Sequence, residues 1–112
     1  MKLLDTTLKN KVLQSMIKLL ETSRKQILEA NKKDLEAFDQ TDKALYDRLE
    51  VNDQKIDGMI QAVREVSEQD DPVNQLISER NLANGLKIQN RTAPFGNIMI
   101  IYESRPDVTV EA

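Results

Sequence analysis

Arg91-Thr-Ala-Pro-Phe-Gly-Asn-Ile-Met-Ile-Ile-Tyr-Glu-Ser-Arg-Pro-Asp-Val-Thr-Val-Glu-Ala112 is the stretch in which the pattern changes from polar helix to buried strand. Within it, Ile98-Met99-Ile100-Ile101-Tyr102 is a short continuous apolar run rich in β-branched residues, preceded by Pro94-Phe95-Gly96 and followed by Ser104 and Pro106. Such a run between turn residues reads as a strand covered on both faces, as in the parallel sheets of α/β proteins. The spacing predicts a strand at about 97–102 and the start of a helix at about 104–112. Ser104 is placed to cap that helix, and Pro106 falls in its first turn, where a missing N–H costs nothing. Asp107, three residues after Ser104, would put negative charge at the positive end of the helix. Strand, tight loop and helix N-terminus together can present backbone N–H groups to an anion, although many α/β proteins contain the unit with no ligand there.

Upstream of this stretch the chain is mostly helix-patterned. Asp5 or Thr6 can cap a first amphipathic helix whose apolar positions are Leu8, Val12, Met16, Ile17, Leu19 and Leu20. Thr22-Ser23 gives a second capping signal, and Ile27, Leu28, Leu35 and Phe38 carry a further stripe with a break signalled near Asn31. Lys9, Lys11, Lys18, Lys25, Lys32 and Lys33 suggest an anionic partner surface, but Glu21, Glu29, Asp34 and Glu36 are interspersed among them. A mixed solvated face is the better reading.

Asp42 can cap a short helix holding Ala44, Leu45 and Leu49, and Asn52 caps the clearest helix of all. There Ile56, Met59, Ile60, Val63 and Val66 fall on one face at about 3.6 residues per turn, so Met59 is a core residue and not part of a cofactor box. Gly58 costs this helix about 1 kcal/mol relative to alanine and marks a candidate close approach of another helix. The helices thus occupy about 6–69, ending before Pro72. A hairpin follows at about 76–93, two extended segments flanking Asn84-Gly85, the pair best suited to a type I′ turn with positive φ at both central residues. Leu86 and Ile88 should face one way, and Lys87, Gln89 and Arg91 the other.

Composition narrows the chemistry. Charged residues make up 31% of the 112, hydrophobic ones 39% and aromatic ones 4%, so the core must be aliphatic and modest. Folded compactly, a chain of this length buries about 60 to 70% of its unfolded surface. Sixteen basic against nineteen acidic residues, with no basic block, argue against a nucleic-acid partner. Cysteine and histidine are both absent, which excludes disulfides, thiolate zinc sites, a cysteine nucleophile and a serine-histidine triad within these residues. No segment approaches the roughly 20 apolar residues of a membrane span, and Met1 to Asp5 lacks a signal-peptide core, so no membrane partner and a cytoplasmic location are expected.

The residues from Ala93 to Ala112, above all Tyr102-Glu-Ser-Arg-Pro106 followed by Val108-Thr-Val110, resemble the first sheet strand and following loop of the gamma-glutamyl phosphate reductase family, also called glutamate-5-semialdehyde dehydrogenases. The resemblance extends through Leu45-Tyr-Asp-Arg-Leu49, the helix from Asn52 to Gln69, Asp71-Pro-Val73 and Asn84-Gly-Leu86, and so covers nearly the whole chain. It implies an α/β parent fold of the aldehyde dehydrogenase type, with residues 1–112 as the N-terminal part of its cofactor-binding domain. It also implies that the complete enzyme uses NADPH to reduce L-glutamyl 5-phosphate to L-glutamate 5-semialdehyde in proline biosynthesis, through a cysteine thiolate lying downstream of the matched segment. No catalytic residue, no metal ligand set and no bound cofactor are therefore expected of this chain alone. The 76–93 hairpin would belong to the arm through which subunits form homo-oligomers.

Glu103, Ser104, Arg105, Pro106 and Asp107 are the candidate substrate- or cofactor-binding residues, since strand ends of parallel sheets open onto the ligand crevice. Arg105 is the sharpest of them, because its fork matches phosphate or carboxylate. The competing reading pairs it structurally with Glu103, Asp107 or Glu111. Ser104 is better read as a helix cap than as a catalytic hydroxyl, and Glu103 as structural. Asp107 stands where the family commonly has asparagine, which argues against a neutral amide role there. The alternative to a reductase portion is a non-catalytic helical interaction or oligomerisation module, or an inactive truncated product. A chain ending one turn after a buried strand is expected to be a fragment.

Overall fold

In the computed structural model, which describes residues 5–112, a helical body is followed by a projecting hairpin and a short returning helix. The opening residues 1–4, read above as lacking a signal-peptide core, lie outside the described residues. Helix α1 (Thr6–Thr22) begins where the Asp5 side chain accepts from the Leu8 N–H, so the first of the two expected caps is used. Ser23 separates α1 from α2 (Arg24–Ala37) without a side-chain capping bond. Asp42 and Asn52 cap α3 (Lys43–Leu49) and α4 (Asp53–Glu68) as expected, accepting from the N–H groups of Leu45 and Lys55.

The core lies mainly between α1 and α4, which run antiparallel: Thr6 meets Asp71 just beyond α4, Gln14 meets Ser67, and Arg24, just past the end of α1, meets Asp53 and Asp57. Ile17, Val51, Ile56, Ile60 and Val63 form its buried centre, with Leu13, Met16, Leu20, Ile27, Leu28 and Val110 packed around it. The apolar face of α1 is thus Leu13, Met16, Ile17 and Leu20, at helical spacing, while Leu8, Val12 and Leu19 remain exposed. Met59 is buried as expected, but Val66 at the far end of the α4 stripe is half exposed.

Two local expectations within the helices are corrected. Helix α2 does not break at Asn31. Its side chain is buried, and its amide donates to Leu49 O and accepts from Val51 N–H, both at 2.8 Å, tying α2 to the turn between α3 and α4. Gly58 marks no close approach, since a Cβ built there would meet nothing within 4 Å.

Strands β1 (Leu76–Asn81) and β2 (Lys87–Arg91) pair antiparallel, with a register shift between Leu76 and Ser78. The connection is not the expected two-residue type I′ turn. Gly85 N–H donates to Leu82 O, and of the Asn84-Gly85 pair only Gly85 has positive φ, +87°. Leu82 N–H then donates to Leu86 O, giving a three-residue loop closed by a left-handed glycine, a geometry that also suits the twist of the strands. Lys87 and Glu79 form an ion pair at 2.6 Å, and neither strand packs on a helix, so both faces are exposed.

The base of the hairpin is held by Thr92. Its N–H donates to Gln75 O, its carbonyl accepts from Asn74 N–H, and its hydroxyl accepts from Gln75 N–H and donates to Pro72 O.

Residues 97–102 form no strand. A strand needs a neighbour to satisfy its N–H and C=O groups, and among the described residues the sheet has two strands that pair only with each other. Ile98, Met99 and Ile101 are accordingly 69%, 85% and 88% exposed, the reverse of the covered strand that the pattern predicts. The structure therefore consists of helices and an antiparallel hairpin, with no parallel sheet among the described residues.

Candidate functional site

The candidate site is built where the chain turns back from the exposed 97–102 segment onto the helical body. Tyr102 and Thr109 join their hydroxyl groups across the turn, and Ser104 takes a left-handed backbone with φ of 54°. A residue in that conformation cannot be an N-cap, which needs extended φ/ψ, and this corrects the expected role of Ser104. Helix α5 (Val108–Glu111) instead follows Asp107, whose side chain makes no capping bond. Val110 anchors this short helix to the core beside α4.

The backbone of this turn is already hydrogen-bonded. The N–H groups of Val108, Thr109 and Val110 donate to the carbonyls of Arg105, Pro106 and Asp107, and Glu111 N–H also reaches Asp107. These amides are consumed by the turn. Four helical residues with their first N–H groups occupied do not make the anion cradle that the local pattern suggests. What the turn offers is side chains.

Of the five candidates, Arg105 and Asp107 face α3 and α4 across a cleft of about 440 Å³, whose other lining residues are Asp47, Arg48 and Lys55. Glu103, Ser104 and Pro106 do not line it. Sequence reasoning did not single out Asp47, Arg48 or Lys55 for the site. Arg48 lay within the quoted Leu45 to Leu49 motif, but only folding brings it opposite Arg105, across more than fifty residues of chain.

The electrostatics of the cleft divide its cations. Lys55 Nζ donates to Asp47 O at 2.8 Å and to Glu50 O, so its charge is held against the carbonyls at the end of α3. Arg48 and Arg105 form no ion pair among the described residues, and the structural pairing of Arg105 with Glu103, Asp107 or Glu111 is not made. Two exposed guanidinium groups and the carboxylates of Asp47 and Asp107 therefore share one solvent-filled recess. Such a wall can orient a phosphate or carboxylate by bidentate hydrogen bonds, but it contains no thiol, hydroxyl or imidazole.

The described residues do not fit a dinucleotide by themselves. Gly96 precedes the 98–101 run, where a phosphate-binding turn would follow a strand, and the α5 amides are already paired. Among the described residues no cluster of acidic side chains has the makings of a metal site, and no helix is long and apolar enough to cross a membrane.

Comparison with known proteins supplies what the cleft alone does not. No protein-family model matches the chain. Gamma-glutamyl phosphate reductase of Aquifex aeolicus is 42% identical over 111 residues, covering 97% of this chain and 26% of that protein. The same enzyme of Persephonella marina is 45% identical over 109 residues, covering 96% and 24%. The crystal structure of gamma-glutamyl phosphate reductase from Thermotoga maritima superposes with a TM-score of 0.87 at 42% identity, covering 98% of this chain and 27% of that one. Its counterpart from Saccharomyces cerevisiae gives the same TM-score at 32% identity. The chain spans about a quarter of the length of the curated relatives it matches. Along nearly all of its own length it is thus a homologue of the N-terminal part of gamma-glutamyl phosphate reductase.

Proposed function

We propose that these residues serve as the N-terminal part of a cytoplasmic, homo-oligomeric gamma-glutamyl phosphate reductase, an oxidoreductase of the aldehyde dehydrogenase type that reduces L-glutamyl 5-phosphate with NADPH during proline biosynthesis. The observation that carries the reading is the agreement of sequence and fold, 42% identity together with a TM-score of 0.87 over 98% of the chain. In this reading the remaining polypeptide supplies the thiolate, the nucleotide cradle and the neighbouring strands that would cover Ile98 to Ile101. The chain itself contributes one wall of the substrate crevice, with Arg105 directed to the phosphate or carboxylate of the acyl phosphate and Asp107 beside it.

When bound, NADPH supplies the hydride, while these residues bind and orient. Loss of the Arg105 fork should therefore appear as weaker substrate capture and poorer alignment, and not as loss of the nucleophile. The test joins residues 1–112 to the remaining three quarters of a relative about 42% identical to it and follows NADPH-linked turnover. The joined enzyme should be active, and Arg105→Ala should lower kcat/KM about tenfold or more, the effect of one lost charge-assisted contact. A folded but inactive joined enzyme would overturn the reading, whereas unchanged kinetics in the alanine variant would remove only Arg105 from the site.

A further inference from the structure

The hairpin tip holds a group that the reductase reading leaves unused. Asn84 is the one asparagine of the chain followed by glycine; the others precede lysine, aspartate, glutamine, leucine, arginine or isoleucine. It lies in an exposed loop, and a Cβ built at Gly85 would meet nothing within 4 Å, so the space beside the glycine is open. Asn84 Oδ1 accepts a hydrogen bond from Leu86 N–H at 3.1 Å. That donor is aimed at the oxygen on which charge would develop if a nucleophile attacked the Asn84 side-chain carbonyl.

We propose that Asn84 is a self-modification site, converting to aspartate and isoaspartate through ring closure onto Gly85 with the Leu86 N–H as oxyanion donor. Gly85 N loses its proton to solvent base and attacks Asn84 Cγ. The new N–Cγ bond places the oxyanion on Oδ1, facing Leu86 N–H. The Cγ–Nδ2 bond then breaks, ammonia leaves with a proton from solvent, and a five-membered succinimide remains. Water opens the ring at either carbonyl, so the net change is loss of ammonia and gain of water, with no oxidant or reductant.

The fold also sets the brake. Gly85 N–H donates to Leu82 O at 3.0 Å, and this bond must open before the nitrogen can attack. Reaction therefore proceeds from a loosened tip and accelerates as pH rises. Isoaspartate routes the main chain through the β-carbon, adding an atom to a three-residue loop. The product cannot keep both the Gly85–Leu82 and Leu82–Leu86 bonds, so the modification uncouples the two strands from the tip inward.

The test incubates the intact chain at mildly alkaline pH and maps its peptides for ammonia loss and isoaspartate. Conversion at Asn84 should outpace that at Asn74, Asn90 and Asn97. Leu86→Pro removes the donor while its carbonyl still accepts from Leu82, and should slow conversion about tenfold, as expected for one hydrogen bond to a charged oxygen. Asn84→Gln, which would need a six-membered ring, should leave position 84 intact with the helices unchanged by circular dichroism. Persistence of the Asn84 amide while other asparagines react would overturn the proposal, as would a folded Leu86→Pro chain that converts at the unaltered rate.

Discussion

Asn31 shows how a residue can carry opposite meanings in sequence and in structure. A polar side chain inside an apolar stripe signals a helix break, because asparagine competes locally for backbone hydrogen bonds. Here its amide points inward and satisfies one carbonyl and one N–H of the turn between α3 and α4, groups that no helix can serve. Asn31→Ala removes the partner of the part-buried Leu49 O and of the buried Val51 N–H, and should cost about 2 kcal/mol in urea unfolding. A variant as stable as the parent would show that water replaces the amide. Asn31→Asp should also destabilise, since it keeps the acceptor for Val51 but sets a second oxygen against Leu49 O.

At the scale of elements, α1 and the junction between α4 and the hairpin are joined by Asp71. Its carboxylate accepts from Lys9 Nζ at 2.9 Å, from Val73 N–H at 3.0 Å and from the Thr6 hydroxyl at 2.8 Å. The Lys9 bond above all, then the Val73 N–H and the Thr6 hydroxyl, holds the Asp71 carboxyl at about 2, below its ordinary value of 3.8. The unfolded chain therefore binds this proton first as pH falls. The stabilisation is full above the ordinary value and is lost between there and about pH 2. Asp71→Asn should flatten that part of the acid limb, measured as urea midpoint against pH. Parallel acid limbs for parent and variant would show that Asp71 does not set the attachment. The hairpin beyond the junction was legible in the sequence because Asn84-Gly85 is a local turn signal, whereas its loop type depends on the bonds that close it and was not.

For the molecule as a whole, the radius of gyration is 20.2 Å, against about 13 Å for a compact chain of this length. The extents of 70 × 29 × 21 Å reflect a hairpin and a following segment that lie off the helical body. Among the described residues both edges of this two-stranded ribbon are free, and Leu76, Ile77, Leu86 and Ile88 are 45 to 63% exposed. An exposed edge with apolar neighbours is a template for pairing with another chain. Sedimentation over a range of concentrations should show association, weakened about tenfold or more by Ile88→Lys with the helices intact. A strictly monomeric profile would sink assembly through this hairpin.

The sequence by itself determined the helices, three of their side-chain caps and the hairpin, because periodicity, capping and turn chemistry act over a few neighbouring residues. It also carried the family resemblance, through motifs that need no folding to be read. Tertiary structure alone decided that Asn31 clamps a turn, that Asp71 joins α1 to the hairpin base, and that Arg48 and Lys55 stand opposite Arg105 and Asp107. It also decided the state of Ile98 to Ile101. Their pattern specifies a buried strand, but burial and pairing are contacts with other segments, and no neighbouring strand among the described residues makes them.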